Sequence, residues 1–498
     1  MAVGELRKLV AAAPEFRLSR WIFLRILGAI YLVAFISFAT QVHGLIGPRG
    51  ILPAGAFLDA VSRQVGLERY WLVPTLAWLA SGDTALGVIC WTGALAALLA
   101  VLDLAPLLAL AVAWITYLSL VSAGQVFTAF QWDTLLLEVG FLAILLAPAK
   151  LRPGPARESA PLAGVLLLLR LLLFRLVFSS GVVKLTSGDP TWRDLSALGY
   201  HYETQPLPTP LAWYAHQLPA AAQHGSVVAL FLIELLVPFS AFAPRPFRHA
   251  GAAAMIALQL LIMATGNYAF FNLTAIALAL LLFDDPALAR VVPSRIARAL
   301  AAGSSRPDPR RFVLAPLVVL LLLLGIVRLV VTGAGYGHAV TVVHRTVRWL
   351  EPLRIVNGYG LFAVMTTVRR EIVIEGSRDG VVWHAYSFRY KPGDPAQRPG
   401  WVAPHQPRLD WQMWFAALRT VQAESWFLSF AVRLLDGSPE VLALLSANPF
   451  PEAPPVFVRA LIREYHFAPK GAGDWWTVGE PRLWMPVVQL RRRPAASQ

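Results

Sequence analysis

Thr84-Ala-Leu-Gly-Val-Ile-Cys-Trp-Thr-Gly-Ala-Leu-Ala-Ala-Leu-Leu-Ala-Val-Leu102, a lone Asp103, then Leu104-Ala-Pro-Leu-Leu-Ala-Leu-Ala-Val-Ala-Trp-Ile-Thr-Tyr-Leu-Ser-Leu-Val-Ser122: this stretch decides the fold class. A helix needs about 20 mostly apolar residues to cross a bilayer. The run is twice that length and carries one charge, so it divides at Asp103 into two spans, 84–102 and 104–122. Working outward, seven more segments have the same character: 21–42, 130–147, 162–183, 226–243, 250–265, 268–283 and 312–332. The run 250–283 is divided at Gly266-Asn267. Residues 21–42 exceed the length of a cleavable signal core and contain Arg25, so they read as a retained first helix. Residues 70–80 are short and broken by Pro74, which suits an interfacial helix.

Composition agrees. Of 498 residues, 57% are hydrophobic and 14% charged, and mean hydropathy is +0.58. Soluble chains carry about 25% charge. The net charge of +14 accompanies no nucleic-acid motif. Many of its cations fall instead in loops between spans. With nine alternating spans and a cytoplasmic N-terminus, Arg7, Lys8, Arg17, Arg20, Lys150, Arg152, Arg157, Arg245, Arg248, Arg290, Arg295, Arg298, Arg306, Arg310 and Arg311 lie inside. Arg49, Arg63, Arg69, Lys184 and Arg193 lie outside. This asymmetry obeys the positive-inside rule. It places residues 333–498 outside the cytoplasm. The one cysteine, Cys90, excludes an internal disulfide.

The tail changes texture. Glu371–Gly376, the turn Asp379-Gly380 and the aromatic run Val381–Tyr390 predict a hairpin. Val456–Phe467 predicts a strand, and Asp410–Arg419 and Trp426–Leu435 have helical spacing. Ser438-Pro439-Glu440 has the order of a helix start. The expected fold is a membrane all-α bundle of about nine spanning helices over residues 1–332. A C-terminal α+β or β-sandwich-like domain over 333–498 completes it.

Charges at bilayer depth are costly and so are the first functional candidates. They are Arg25, Asp133, Glu138, Arg170, Arg175, Lys184 and Glu234. Arg25, Arg170 and Arg175 are expected to neutralise Glu138 and Glu234 as an intramembrane network; a polar cavity is the sharper alternative. The long polar loop 186–208 is a second candidate, either functional or a lid on the bilayer surface. His201, His216 and His224 fit no metal-ligand spacing. No phosphate loop, dinucleotide fingerprint or Gly-x-Ser-x-Gly elbow occurs, so no metal or cofactor is expected. His405, Arg408, Asp410, Trp411 and Trp414 are candidates for binding a partner, since Trp and Arg anchor interfaces, although most such rings are expected to be core.

Several stretches resemble the lipase maturation factor family. They are Gln131-Trp-Asp-Thr-Leu-Leu-Leu-Glu-Val-Gly-Phe-Leu142, Gly181-Val-Val-Lys-Leu-Thr-Ser-Gly-Asp-Pro-Thr-Trp-Arg-Asp194, Tyr200-His-Tyr-Glu-Thr-Gln-Pro-Leu-Pro208 and Thr265-Gly-Asn-Tyr-Ala-Phe-Phe-Asn272. In the tail they are Val356-Asn-Gly-Tyr-Gly-Leu-Phe362, Arg389-Tyr-Lys-Pro-Gly-Asp394 and Ala403-Pro-His-Gln-Pro-Arg-Leu-Asp-Trp-Gln-Met-Trp414. The resemblance implies a multi-pass protein of the endoplasmic reticulum membrane that helps secreted lipases fold and leave, its outer domain contacting the client. The Ala/Leu/Arg-rich composition and short loops are bacterial in character, which would place it in the inner membrane instead. Phe174-Arg175 and Gly181-Val-Val-Lys184-Leu are also distantly similar to vitamin-K-dependent γ-carboxylase. That similarity implies an enzymatic alternative with Lys184 as base, assisted by Asp133 and Glu138. A non-enzymatic maturation factor is the expected function, with the lipid bilayer and a secreted lipase-like client as partners.

Overall fold

The computed structural model describes residues 8–149, 151–152, 159–302, 310–334 and 348–490. Among the cations assigned to the cytoplasmic side, Arg7, Lys150, Arg157 and Arg306 lie outside the described residues. Most of the expected domain junction, from residue 335 to 347, does so too.

Nine helices occupy the nine expected segments. They are α1 (Arg17–Ala39), α2 (Asp83–Val101), α3 (Pro106–Ala123), α4 (Gln131–Leu146), α5 (Ala163–Thr186), α6 (Ala220–Leu235), α7 (Arg245–Thr265), α8 (Phe271–Leu280) and α9 (Arg311–Ala334). Seven are long and apolar enough to cross a membrane, α6 by continuing as a 3-10 turn to Phe242. The other two are shorter, α4 at 16 residues and α8 at 10.

End contacts show how these helices run. One end of the bundle gathers Asp285 on the backbone N–H groups of Arg17 and Leu18 (3.0 and 2.9 Å), Arg310 on the Ala147 carbonyl, and Arg245 on Asp284. The opposite end gathers Gln41 against Gln406, Asp133 against Arg408, and Asn267 against Gly400. Successive helices alternate between the two ends. Even α8 connects them: Asn267 precedes it at one end, and Leu282 after it accepts from Arg248 at the other. The C-terminal portion therefore sits at the end away from α1's start.

Small residues set the packing, as membrane helices require where lipid supplies no hydrophobic drive. A side chain at Gly93 of α2 would meet the Phe35 ring of α1 at 2.2 Å. One at Gly140 of α4 would meet the Tyr31 hydroxyl at 1.9 Å. α5 is the central helix, with 72% of its apolar window buried, against 22% for α6 at the periphery. The 70–80 stretch forms only the short turns Arg69–Leu72 and Leu76–Trp78. Pro74 interrupts them, and Tyr70, Leu72, Leu76 and Leu79 stay exposed.

The C-terminal portion is α+β. One antiparallel sheet contains β1 (Arg369–Ser377), β2 (His384–Ala385), β3 (Phe457–Phe467), β4 (Trp476–Val478) and β5 (Arg482–Val488). Its order is β2-β1-β3-β4, with β5 also on β3. The sandwich alternative is set aside, since a second sheet is absent among the described residues. The predicted hairpin is correct in pairing but short: β2 contributes two residues, and β1 instead pairs along nine positions with β3. Helices α10 (Arg408–Ala417) and α11 (Ser425–Leu435) pack their aromatic faces inward. Trp411 of α10 lies against Trp132 of α4 at 4.6 Å between ring centres, and Trp426 of α11 against Phe127 at 5.7 Å. The tryptophan-rich core is thus shared between the tail and the bundle.

Candidate functional site: a buried polar junction

Three acidic side chains sit in the bundle core, each with a cation. Asp133, at the first turn of α4, receives Arg408 in a bidentate pair (2.8 and 2.8 Å). The Tyr117 hydroxyl donates to the same carboxylate at 2.5 Å. Both charged side chains are essentially inaccessible, at 0% and 1%. Arg408 also donates to the Phe127 carbonyl at 2.7 Å and lies over the Phe38 ring. Burial works against its charge, yet Asp133 more than offsets this and raises the guanidinium above its ordinary value.

One turn and a half along α4, Glu138 pairs with Arg175 of α5. Its second oxygen accepts from the backbone and side-chain nitrogens of Asn357 (2.9 Å each) and from the Tyr359 hydroxyl (2.8 Å). Arg175 closes the ring by donating to the Asn357 carbonyl at 2.9 Å. Burial and then Glu138 raise Tyr359 well above its ordinary value, so it remains a donor. Farther along α5, Lys184 holds both oxygens of Glu234 (2.9 and 2.8 Å) and faces Trp192.

The expected network is thereby revised. Arg175 does neutralise Glu138. Glu234 is met by Lys184, because α5 and α6 pack side by side at that level. Arg25 pairs with Asp103 across the α1–α2 contact. Arg170 lies over the Phe16 ring, 4.8 Å from its centre. The cation for Asp133 comes from α10, outside every span. One sequence signal pointed to it: three arginines assigned to Glu138 and Glu234 left Asp133 without a partner, and a buried lone carboxylate is untenable. Asn357 and Tyr359 carried no such signal, because neutral caps do not appear in a charge inventory.

The loop 186–208 is locked as well. Arg369 at the start of β1 donates to the carbonyls of Glu203, Gln205 and Pro206 (2.7, 2.5 and 2.9 Å). Its charge is balanced by Glu371 at 2.5 Å, which Lys391 also approaches at 3.0 Å. Asn267 stitches the far ends together, accepting from Val402 and Ala403 and donating to Gly400. Tyr268 bridges Gln205 (2.8 Å) and His201 (3.1 Å). His201 is pushed down to about 4 by burial and by the Lys184 charge, and so stays neutral.

The five tail residues expected to face a partner are largely drawn into this junction. Arg408, Asp410 and Trp411 are buried, and the Trp414 indole donates to the Thr204 carbonyl at 2.8 Å. His405 shares a hydrogen bond with Ser37 of α1 at 3.0 Å. Their contacts are therefore mostly internal. Arg408 in particular cannot leave Asp133 for a partner without stranding a buried charge. The stretches singled out by their resemblance, spread from residue 131 to 414, thus meet at one end of the bundle. Among the described residues, no group of three or more His, Cys, Asp or Glu side chains could hold a metal ion.

This geometry defines a polytopic membrane protein whose C-terminal portion is fastened to one end of its helix bundle by buried ion pairs. Within that class, the chain belongs to the lipase maturation factor family. The family model for the lipase maturation factor transmembrane domain matches residues 18–290, and that for the lipase maturation factor C-terminal domain matches 355–485. Lipase maturation factor 2 of Homo sapiens is 39% identical over 95% of this chain and 83% of its own length. The Gallus gallus protein of the same name is 38% identical over 95% and 82%. Lipase maturation factor 1 of Bos taurus is 33% identical over 93% and 88%. No solved structure matches the chain.

Proposed function

We propose that this chain is a membrane-resident maturation factor that assists the folding and export of secreted lipase-class proteins, acting by binding and not by catalysis. The observation that carries the proposal is similarity to lipase maturation factors over 93–95% of the chain, spanning bundle and tail alike. The engagement of Lys184 with both Glu234 oxygens supports the non-enzymatic reading, since a base must be free to take a proton. The test is deletion of the chain in its host, followed by secreted lipase activity per unit of secreted lipase. Loss of specific activity, restored by the intact chain, is the expected result. Unchanged specific activity would refute the lipase client.

The tail works on the non-cytoplasmic side in this proposal, in the endoplasmic reticulum lumen of a eukaryote or outside the inner membrane of a bacterium. The excess of Lys and Arg in loops at the opposite end supports that orientation. Cys90 is buried, so a Cys-reactive, membrane-impermeant reagent meets a silent background. In sealed vesicles or cells with the outer face exposed, exposed Gln397→Cys should label and exposed Arg290→Cys should not. The reverse pattern would invert the topology.

A further inference from the structure

Where α1 leaves the bundle, a cavity of about 520 Å³ opens between it and the C-terminal portion. Ligand sites typically enclose about 300–1,000 Å³. One wall is Val33, Ile36 and Thr40; the other includes Arg389, His405 and Asp410. Positions 29, 33, 36 and 40 recur at the spacing of a single helical face. Ala29, Ile36 and Thr40 are exposed, and Val33 is half-buried. The outward stripe of a spanning helix thus runs into the cavity. From Val33 to Thr40 the axis rises about 10 Å, at about 1.5 Å per residue. A ligand filling this space meets hydrocarbon-facing residues at one end and charge at the other.

The charged end holds one group of each sign. Arg389 is exposed at the rim, fixed by bonds from Nε to the Leu445 carbonyl (3.1 Å) and from Nη2 to the Ala443 carbonyl (2.8 Å). Asp410 is buried in the wall, with Oδ1 accepting from the backbone nitrogens of Tyr390 and Lys391 at 2.9 Å each. His405 stands between α1 and Tyr390, kept neutral by burial and by the charges of Arg408 and Arg389. Val33 and Ile36 belong to a spanning helix, so the acyl chain of a bilayer lipid reaches them more readily than a soluble peptide does. We propose that this cavity binds one zwitterionic glycerophospholipid, its phosphate on Arg389, its ammonium toward Asp410, and an acyl chain along Ala29, Val33 and Ile36.

The test uses the full-length chain, purified in mild detergent and titrated separately with phosphatidylethanolamine and phosphatidylglycerol, with retained lipid read by native mass spectrometry. One phosphatidylethanolamine should be retained about fivefold better than phosphatidylglycerol, the worth of one charge contact in a cavity open to water. Ile36→Trp, which fills the apolar wall, should reduce retention of both. Asp410→Asn keeps the Oδ1 acceptor and should abolish the preference between them. Tryptophan-fluorescence melting checks that each variant is folded, and if Ile36→Trp is not, Asp410→Asn decides. Equal retention of the two lipids by the unmodified chain would overturn the proposal. So would a preference unchanged in Asp410→Asn, or equal retention of glycerophosphoethanolamine, the head group without chains.

Discussion

Replacing Arg408 by Met should be among the most damaging single changes in the molecule, and replacing Asp133 with it should undo much of the damage. Arg408 contributes two hydrogen bonds to Asp133 and one to the Phe127 carbonyl, all with no solvent access. Its removal leaves the carboxylate with the Tyr117 hydroxyl as its only hydrogen-bond partner among the described residues. Removing one member of a buried pair costs about 3–5 kcal/mol, because the other charge is stranded. Asp133→Leu with Arg408→Met removes the stranded charge; the Phe127 carbonyl is already bare in the single variant, so the double adds only an unsatisfied Tyr117 hydroxyl, at about 1–3 kcal/mol. Recovery of roughly 2 kcal/mol is therefore expected, and adding Tyr117→Phe should recover more. The assay is chemical unfolding of the full-length chain in detergent, followed by tryptophan fluorescence, because Trp132 and Trp411 meet edge to face at this junction. An Arg408→Met variant within about 1 kcal/mol of the parent would refute the reasoning, as would a double variant no more stable than the single, since the stranded charge is the larger part of the penalty.

Other perturbations follow the same physics. Lys184→Met should destabilise the chain by stranding Glu234, and Lys184→Met with Glu234→Leu should restore its abundance. If the abundant double variant failed to support lipase maturation, Lys184 would be needed for more than structure. Gly93→Ala should cost about 1–3 kcal/mol by overpacking against Phe35, read as a lower melting temperature; an unchanged melt would show that α1 and α2 can part freely. His201 titrates at about 4 when folded, against an ordinary 6.5, so the native state holds fewer protons between those values. Stability must then fall as pH drops from 6.5 toward 4. His405, also pushed down to about 4, acts with the same sign. Asp410, raised to about 6 mainly by burial, acts oppositely, losing stability as pH rises from 3.8 through 6. His201→Gln, which keeps a donor toward Tyr268, should flatten the acid-side fall in melting temperature, and a slope untouched by that change would exclude His201 as its source.

The helical plan was legible because hydrocarbon tolerates so few residue types that length and apolarity nearly suffice. All nine segments from 21–42 to 312–332 became helices. The short ones departed for local reasons: α4 gives its first turn to Gln131 and Asp133, and α8 begins only after the stretch at Gly266-Asn267 that contacts Gly400. The sheet was half legible. β1 and β3 are rich in β-branched and aromatic residues, whereas β5 carries Pro486 and pairs through register shifts, which blurs its pattern. The junction was the least legible, because its partners are separated by 275 residues between Asp133 and Arg408 and by 219 between Glu138 and Asn357. Spacing rules connect neighbours on one element; they carry nothing about pairing over such distances.

That separation bears on function. Apolar packing alone could seat the tail on the bundle in several registers, since rings such as Trp411 and Trp132 tolerate sliding. A bidentate Arg408–Asp133 pair does not, because guanidinium and carboxylate must meet in one plane at hydrogen-bond distance. The ring of Glu138, Arg175, Asn357 and Tyr359 fixes a second point, and Arg369 on the 203–206 carbonyls a third. Three points define an orientation, so the polar groups at depth do for position what the aromatic rings do for stability. A protein that handles folding clients at a membrane surface needs its binding face held at a constant height and tilt. On the proposed function these side chains serve that role by holding still, and a client would be sought on the outer side of the sheet and its loops.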